Sequence, residues 1–413
     1  MHNIFLTRIR RKFPDNSLTD LKREIRKELS RLPVLFKPGS SVAIGVGSRG
    51  IGNLPLIVSE VVGYIKQNDG RPFIIPAMGS HGGATASGQA AVLESFGITD
   101  KSMGAPVRSS MEVAELPKGN CINPVYMDKN AYDSDGVILI NKVKPHTDFH
   151  GPYESGLVKM SVIGLGKEKG ATAIHDYGVY GLRELIPPSA KQILSAGKIL
   201  AGIAVVENAW DKIMLVRALS ADKIMQEETG LLEIARSNLP SFPADEFDLL
   251  IVNRMGKNIS GVGMDTNIIG RLRIFGQEEP AKPRIRSIVV TDLTDESHGN
   301  ASGIGLADVI TKHLYDKIDF EFTYKNIATS SFLERGKIPL VAENGREAYN
   351  LAIRNCGISR PGEERIIRIE DTLHLHELYV SKAIIREIGN KSDVEILQDN
   401  MPLFTDDNEF CAF

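Results

Sequence analysis

Short runs of consecutive apolar residues, each closed by a polar stretch that carries glycine, recur along the chain. The run Ser41-Val42-Ala43-Ile44-Gly45-Val46 predicts a strand buried on both faces, and it ends in Gly47-Ser48-Arg49-Gly50. From Leu56 to Asn68 the apolar positions Ile57, Val61, Val62 and Ile65 recur at helical spacing, and Asp69-Gly70 stops the helix. Pro72-Phe73-Ile74-Ile75-Pro76 predicts the next strand, which runs into Gly79-Ser80-His81-Gly82-Gly83. A strand, a helix and a strand in this order form a unit whose right-handed crossover makes the strands parallel. A helix over roughly Ala84 to Phe96 follows, with Gly97 as its C-cap. The strand Gly136-Val137-Ile138-Leu139-Ile140 then leads into a polar loop from Asn141 to Gly151. Three strands in succession thus end in three polar loops.

After Pro240-Ser241-Phe242-Pro243 the pattern restarts. A strand from Phe247 to Val252 exits into Gly256-Lys257-Asn258-Ile259-Ser260-Gly261. The strand Ile288-Val289-Val290 exits into a loop from Thr291 to Asn300, and a helix is predicted near Leu306 to Tyr315. His374 and His376 alternate in Thr372-Leu373-His374-Leu375-His376, which fits a strand with both imidazoles on one solvent face. At 413 residues the chain exceeds the size of a single core, so two domains are expected. We place an α/β catalytic and cofactor-binding domain at 1–243, a second α/β domain at 244–390, and a tail at 391–413 that docks on one of them. The expected fold class is α/β, with a mainly parallel sheet flanked by helices in each domain and the active site in the cleft between them.

A formal net charge of −3 gives no basic field to gather nucleic acid or an anionic membrane, so the expected partner is a small molecule. No apolar run approaches the roughly 20 residues needed to span a bilayer, and the apolar stretch at the N-terminus is too short for a secretory signal. Cys121, Cys356 and Cys411 are odd in number and show no paired spacing, which argues against a disulfide framework and against a cysteine-rich zinc site. The expected compartment is the cytoplasm.

In open α/β sheets, ligands bind beyond the carboxyl ends of the strands, which is where Arg49, His81 and His146 fall in this pattern. His81 stands among glycines at a strand-to-helix turn, where a helix N-terminus disfavours imidazolium and so favours a neutral base. A structural, hydrogen-bonding histidine is the plainer alternative. His146 and His150 are four residues apart, yet Pro145 and Gly151 confine any helix there to one turn, so a loop is expected. Gly164-Leu165-Gly166-Lys167-Glu168-Lys169-Gly170 has the composition of a phosphate-binding loop without the Walker spacing. Gly164, Gly166 and Lys167, with Ser48 beside Arg49, would suit an anionic cofactor, and a solvated turn competes with that account. In the second block, Gly263 to Asn267 and Asp295 to Asn300 are rich in groups that bind hydroxyls, as a sugar acid would require. Ordinary turn chemistry explains the same residues.

Ser48-Arg49, Gly79-Ser80-His81-Gly82, Pro145-His146 through Lys159, and His175 follow the order and approximate spacing of the nickel-dependent lactate racemase family. The chain resembles that family over most of residues 40 to 180 and more loosely in the second block. The resemblance implies an isomerase that racemises or epimerises a 2-hydroxy acid. It also implies nickel in a nickel-pincer nucleotide, pyridinium-3,5-bisthiocarboxylic acid mononucleotide, which can be tethered to a lysine through a thioamide, and proteins that synthesise this cofactor. By position Lys159 is the tether and His175, sixteen residues later as in the family, the axial nickel ligand. Arg49 then lies against the cofactor and the substrate carboxylate, His81 and His146 are the two acid/bases, and Lys257 faces the substrate. Two departures stand out. Val46 occupies the position where the family's lactate racemases usually carry an aspartate, and Gly151 to Val158 replaces their glycine-rich approach to the lysine, so His150 competes with His146. Two other functions fit the residues: a zinc-dependent lyase or hydrolase built on His146, His150 and Asp148, and a non-catalytic protein that binds the nickel nucleotide.

Overall fold

The computed structural model describes residues 4–48, 50–330, 332–357, 362–389 and 391–413. They fall into two compact units, Pro14–Leu239 and Met1–Phe13 with Pro240–Phe413.

In the unit Pro14–Leu239 the sheet order is Arg71–Pro76, Ser41–Val46, Gly136–Lys142, Ile199–Glu207, Ile213–Ser220. The first four strands are parallel, and the last pairs antiparallel with its neighbour. The apolar runs read from the sequence are the buried central strands, and helix Leu54–Gln67 lays Ile57, Val61, Val62 and Ile65 onto them. From Ser41–Val46 the chain crosses to one side for Arg71–Pro76 and later to the other side for Gly136–Lys142. The strand order therefore reverses around Ser41–Val46, and the crevice beyond such a reversal is where sheets of this type hold ligands.

Helix Ala86–Ser95 begins two residues later than its periodicity predicts, because Gly82–Ala84 forms a separate tight turn and the Thr85 hydroxyl accepts the Gly88 N–H at 3.0 Å. That turn lies backbone to backbone on the helix start. A Cβ on Gly88 would come within 1.9 Å of the Gly82 carbonyl oxygen, so no other residue fits there.

The other unit holds an eight-stranded sheet. Its order is Leu340–Ala342, Val309–Thr311, Arg284–Leu293, Glu246–Met255, Ile366–Ile369, Glu377–Val380, Phe5–Arg11, Val394–Pro402. The first five strands are parallel and the last three antiparallel. The chain's first strand thus sits inside the sheet of the second block, and the segment expected as a tail supplies its edge. The helix predicted near Leu306 to Tyr315 is instead a tight turn at Ile304–Leu306, strand Val309–Thr311 and helix Lys312–Asp316. The β-branched run Val309-Ile310-Thr311 pairs with Val289 and Val290, and this pairing outweighs the helical periodicity. His374 lies in a turn rather than a strand, because the Asp371 carboxylate accepts the N–H groups of Leu373 and His374 and holds His374 Nδ1 at 2.8 Å. Among the described residues no helix is long and apolar enough to cross a membrane.

Ile9 is fully buried in the core of this second unit, together with Leu250, Ile367 and Leu378. Ile9→Ala should cost about 2–5 kcal/mol in urea unfolding. A dispensable N-terminal leader would give no change.

Candidate active site

A cavity of about 210 Å³ opens at the carboxyl ends of Ser41–Val46, Arg71–Pro76 and Gly136–Lys142. Of the residues singled out in the sequence, Ser48, His81, His146, Lys159, Gly164 and His175 line it, together with Lys142, Lys144 and Asp148. His150, Gly166 and Lys167 are absent from the described lining. Arg49 lies outside the described residues. Lys257 belongs to the other unit, where its ammonium donates to the Gly261 carbonyl at 2.7 Å and to Asn326 Oδ1 at 2.5 Å.

His81 is exposed on its glycine-rich turn, and its Nδ1 is paired with the Ser48 hydroxyl. The turn is held from below. The buried Gln89 carboxamide donates to the Gly79 carbonyl at 2.8 Å and to the His81 carbonyl at 3.2 Å, while its oxygen accepts from Lys167 Nζ at 2.8 Å. Lys167 also donates to the Pro76 carbonyl at 2.6 Å and lies 3.1 Å from Asp128 Oδ2. Lys167 is therefore not a cofactor contact but a fully buried strut under the His81 turn. Its backbone lies in the left-handed region at φ +55°, a conformation that persists for a non-glycine residue only where its surroundings dictate it. Desolvation pulls the Lys167 amine down from its ordinary range and pushes the Asp128 carboxyl up.

The segment Gly164 to Gly170 is helical rather than a phosphate loop. A wide turn at Met160–Gly164 leads through Leu165 and Gly166 into helix Lys167–His175. Such wide turns recur at functional sites. This one carries Lys159 at its start and His175 at the far end of the helix. His175 is open to the cavity but crowded by its walls. That crowding lowers its pKa, and a protonated Lys159 lowers it further, against the pull of Asp148 and Asp176. The imidazole is thus held neutral, with a lone pair available.

Glu154 gives His146 and His150 different surroundings. Its carboxylate is buried and accepts the N–H of His146 at 2.6 Å and of Gly151 at 3.0 Å. It also takes His150 Nδ1 at 3.3 Å and an ion pair from Arg236. Burial alone would raise the Glu154 carboxyl, but the His150 and backbone donors hold it below its ordinary range. His150 is thereby turned to Glu154, and His146 faces the cavity. His146 Nδ1 accepts the Asp148 N–H at 3.0 Å, so the proton of the neutral ring sits on Nε2, which meets Lys159 Nζ. The Phe149 ring backs both groups, 4.7 Å from the His146 ring and 5.8 Å from Lys159 Nζ. His146 and His150 therefore have different partners. Among the described residues no group of three or more His, Cys, Asp or Glu side chains is placed to hold a metal ion.

Sequence reasoning missed Gln89, Asp128, Glu154 and Glu228. Glu228 alone left a signal, because it occupies an apolar-stripe position on helix Ala221–Ser237, in line with Ile224, Leu231, Leu232 and Ala235. It is 1% exposed, and Oε2 accepts the N–H groups of Leu157 at 2.5 Å and Val158 at 3.0 Å. Desolvation outweighs these two bonds and raises its pKa to about 7.

The fold is similar to that of a solved structure, the lactate racemase apoprotein from Thermoanaerobacterium thermosaccharolyticum. The TM-score is 0.51 at 14% sequence identity, covering 89% of this chain and 98% of that chain. At this identity the likeness is one of fold. No protein-family model and no curated protein matches the sequence.

Lys167→Met leaves Asp128 as an uncompensated buried carboxyl and should cost about 3–5 kcal/mol in urea unfolding. A change below about 0.5 kcal/mol, as at an ordinary surface site, would remove the strut assignment. For Glu228 the folded pKa lies above the unfolded one. Its ionisation penalty is therefore absent below about pH 4.5, grows up to about pH 7 and is constant above. The stability of Glu228→Gln relative to the natural chain should shift in the variant's favour by up to about 3 kcal/mol as pH rises from 4.5 to 8. Denaturant titrations at a series of pH values read this directly, and a flat difference would contradict it.

Proposed function

We propose that this chain is a 2-hydroxyacid racemase or C2-epimerase that works with a nickel-pincer nucleotide held in the cavity. One observation carries the proposal. His81, His146, Lys159 and His175 come from four separate stretches of sequence and meet at one cavity, in a chain with the fold of a lactate racemase apoprotein. The donor set fits the cofactor. His175 offers a neutral imidazole nitrogen as the nickel ligand. Lys159 places its amine against His146 Nε2 at the cavity wall, where an attachment point is required. Lys144 brings a further lysine side chain to the cavity lining, whereas Lys142 there is ion-paired with Glu207. When bound, the nucleotide supplies the centre that accepts a hydride from C2 and returns it.

The protein's own part is proton transfer and clamping. Inverting a 2-hydroxy acid requires the hydroxyl proton to be taken on one side and given back on the other. His81, paired at Nδ1 with the Ser48 hydroxyl, and His146, which accepts the Asp148 N–H at Nδ1, are assigned to take and return that proton. The opposite enantiomer uses the two rings in exchanged roles. Arg49 is assigned the substrate carboxylate, because a guanidinium binds it in bidentate fashion. Lactate and sugar acids are the candidate substrates.

The test uses protein produced together with the cofactor-synthesis enzymes and a panel of 2-hydroxy acids that includes lactate and sugar acids, read by chiral chromatography. At least one acid should be inverted at C2, and His81→Asn or His146→Asn should slow inversion by about 10²–10⁴. His175→Ala should lose nickel by elemental analysis while keeping its circular dichroism spectrum. Full nickel content in that variant, or no inversion of any acid by nickel-loaded protein, would overturn the proposal.

A further inference from the structure

Helix Ala221–Ser237 buries Ile224, Leu231, Leu232 and Ala235, and among them the carboxylate of Glu228. An acid at this depth costs desolvation that an apolar side chain of similar volume would avoid, and one of its oxygens, Oε1, has no hydrogen-bond partner. Its other oxygen meets a specific need. The helical segment that carries Lys159 begins after Gly156, which has no side chain to cap it, so the N–H groups of Leu157 and Val158 require an acceptor from elsewhere. Glu228 Oε2 accepts both. The approach is so close that a Cβ on Gly156 would lie 2.4 Å from the carboxylate. The Gly156 carbonyl is fixed in turn by Asn141 Nδ2 at 2.7 Å, from the end of the central strand Gly136–Lys142. The start of the Lys159 segment is thereby pinned on both sides, two residues before the lysine.

We propose that Glu228 is the positioning residue of this cavity: by capping Leu157 and Val158 from a neighbouring helix, its carboxylate sets the turn that presents the Lys159 amine to His146. Glu228 touches neither lysine nor histidine and acts through the backbone alone. The inference rests on the assignment of Lys159 as an attachment point.

The experiment measures acetylation by the N-hydroxysuccinimide ester of acetic acid at neutral pH, site by site, by peptide mass spectrometry. The protein is free of cofactor, and the exposed Lys12 serves as the internal reference. In the natural chain Lys159 should react faster than Lys12. Glu228→Leu removes the acceptor, and Glu228→Asp keeps the charge but withdraws it by one methylene. In both, the ratio of Lys159 to Lys12 labelling should fall by about tenfold, the order expected for losing the two hydrogen bonds to the Leu157 and Val158 N–H groups. Glu228→Gln keeps a carbonyl acceptor at the same reach and should stay within about threefold of the natural chain. If the leucine variant does not fold, the aspartate and glutamine pair carries the test. A drop in melting temperature with an unchanged labelling ratio in the aspartate variant would overturn the proposal and leave Glu228 a purely structural residue. A Lys159 that never outpaces Lys12, in the natural chain or in any variant, would overturn the attachment reading itself and this inference with it.

Discussion

Strand Ser41–Val46 has a parallel partner along each edge, Arg71–Pro76 on one side and Gly136–Lys142 on the other. Both edges are satisfied and both faces are covered, so this strand can meet a ligand only beyond its ends, and the cavity opens at its carboxyl end. Parallel partners must also send their own carboxyl ends to the same side. The loops after all three strands therefore gather in one place whatever their sequences are. Ser48, His81 and His146 owe their meeting to that arrangement, and the reversal of strand order supplies the gap between the loops.

Beneath the cavity the chain uses buried charge where apolar packing would be cheaper. Lys167 ties the His81 turn to Pro76, Gln89 and Asp128. Glu154 gathers the His146 loop around backbone N–H groups, His150 and Arg236. Glu228 caps the segment that carries Lys159. Each costs desolvation, and each fixes the backbone of a segment that bears a cavity residue. Hydrophobic contacts are non-directional and would hold these loops less uniquely than hydrogen bonds at set distances. The chemistry of the cavity follows from the same bonds, since the Asp148 N–H on His146 Nδ1 decides which ring nitrogen carries the proton.

The elements of the first unit were legible because their apolar runs are long, buried and bounded by glycine or proline. Ser41–Val46 has the predicted bounds, and Leu54–Gln67 and Ala86–Ser95 shift only at their ends, where caps decide. Val309–Thr311 was not legible, because three β-branched residues inside a helical period become a strand only when Val289 and Val290 offer an edge. The place of Phe5–Arg11 was equally hidden, since its partners Glu377–Val380 and Val394–Pro402 lie at the far end of the chain.

By itself the sequence determined the α/β pattern, the three polar loops at strand ends, and the order and spacing of His81, His146, Lys159 and His175. All of these are local properties of residue type and interval. Only the tertiary structure shows that His146 lines the cavity while His150 pairs with Glu154, since this depends on where Glu154 and Arg236 point. The same is true of Lys167, which its composition marked as a phosphate ligand and its buried acceptors make a strut. Glu228 shows the division most clearly. Its place on an apolar stripe was visible in the sequence, but its purpose appears only where a second helix brings two unpaired N–H groups within reach. Periodicity reports which face of an element is buried, whereas the partner of a buried polar group is set by segments distant in sequence and adjacent only after folding.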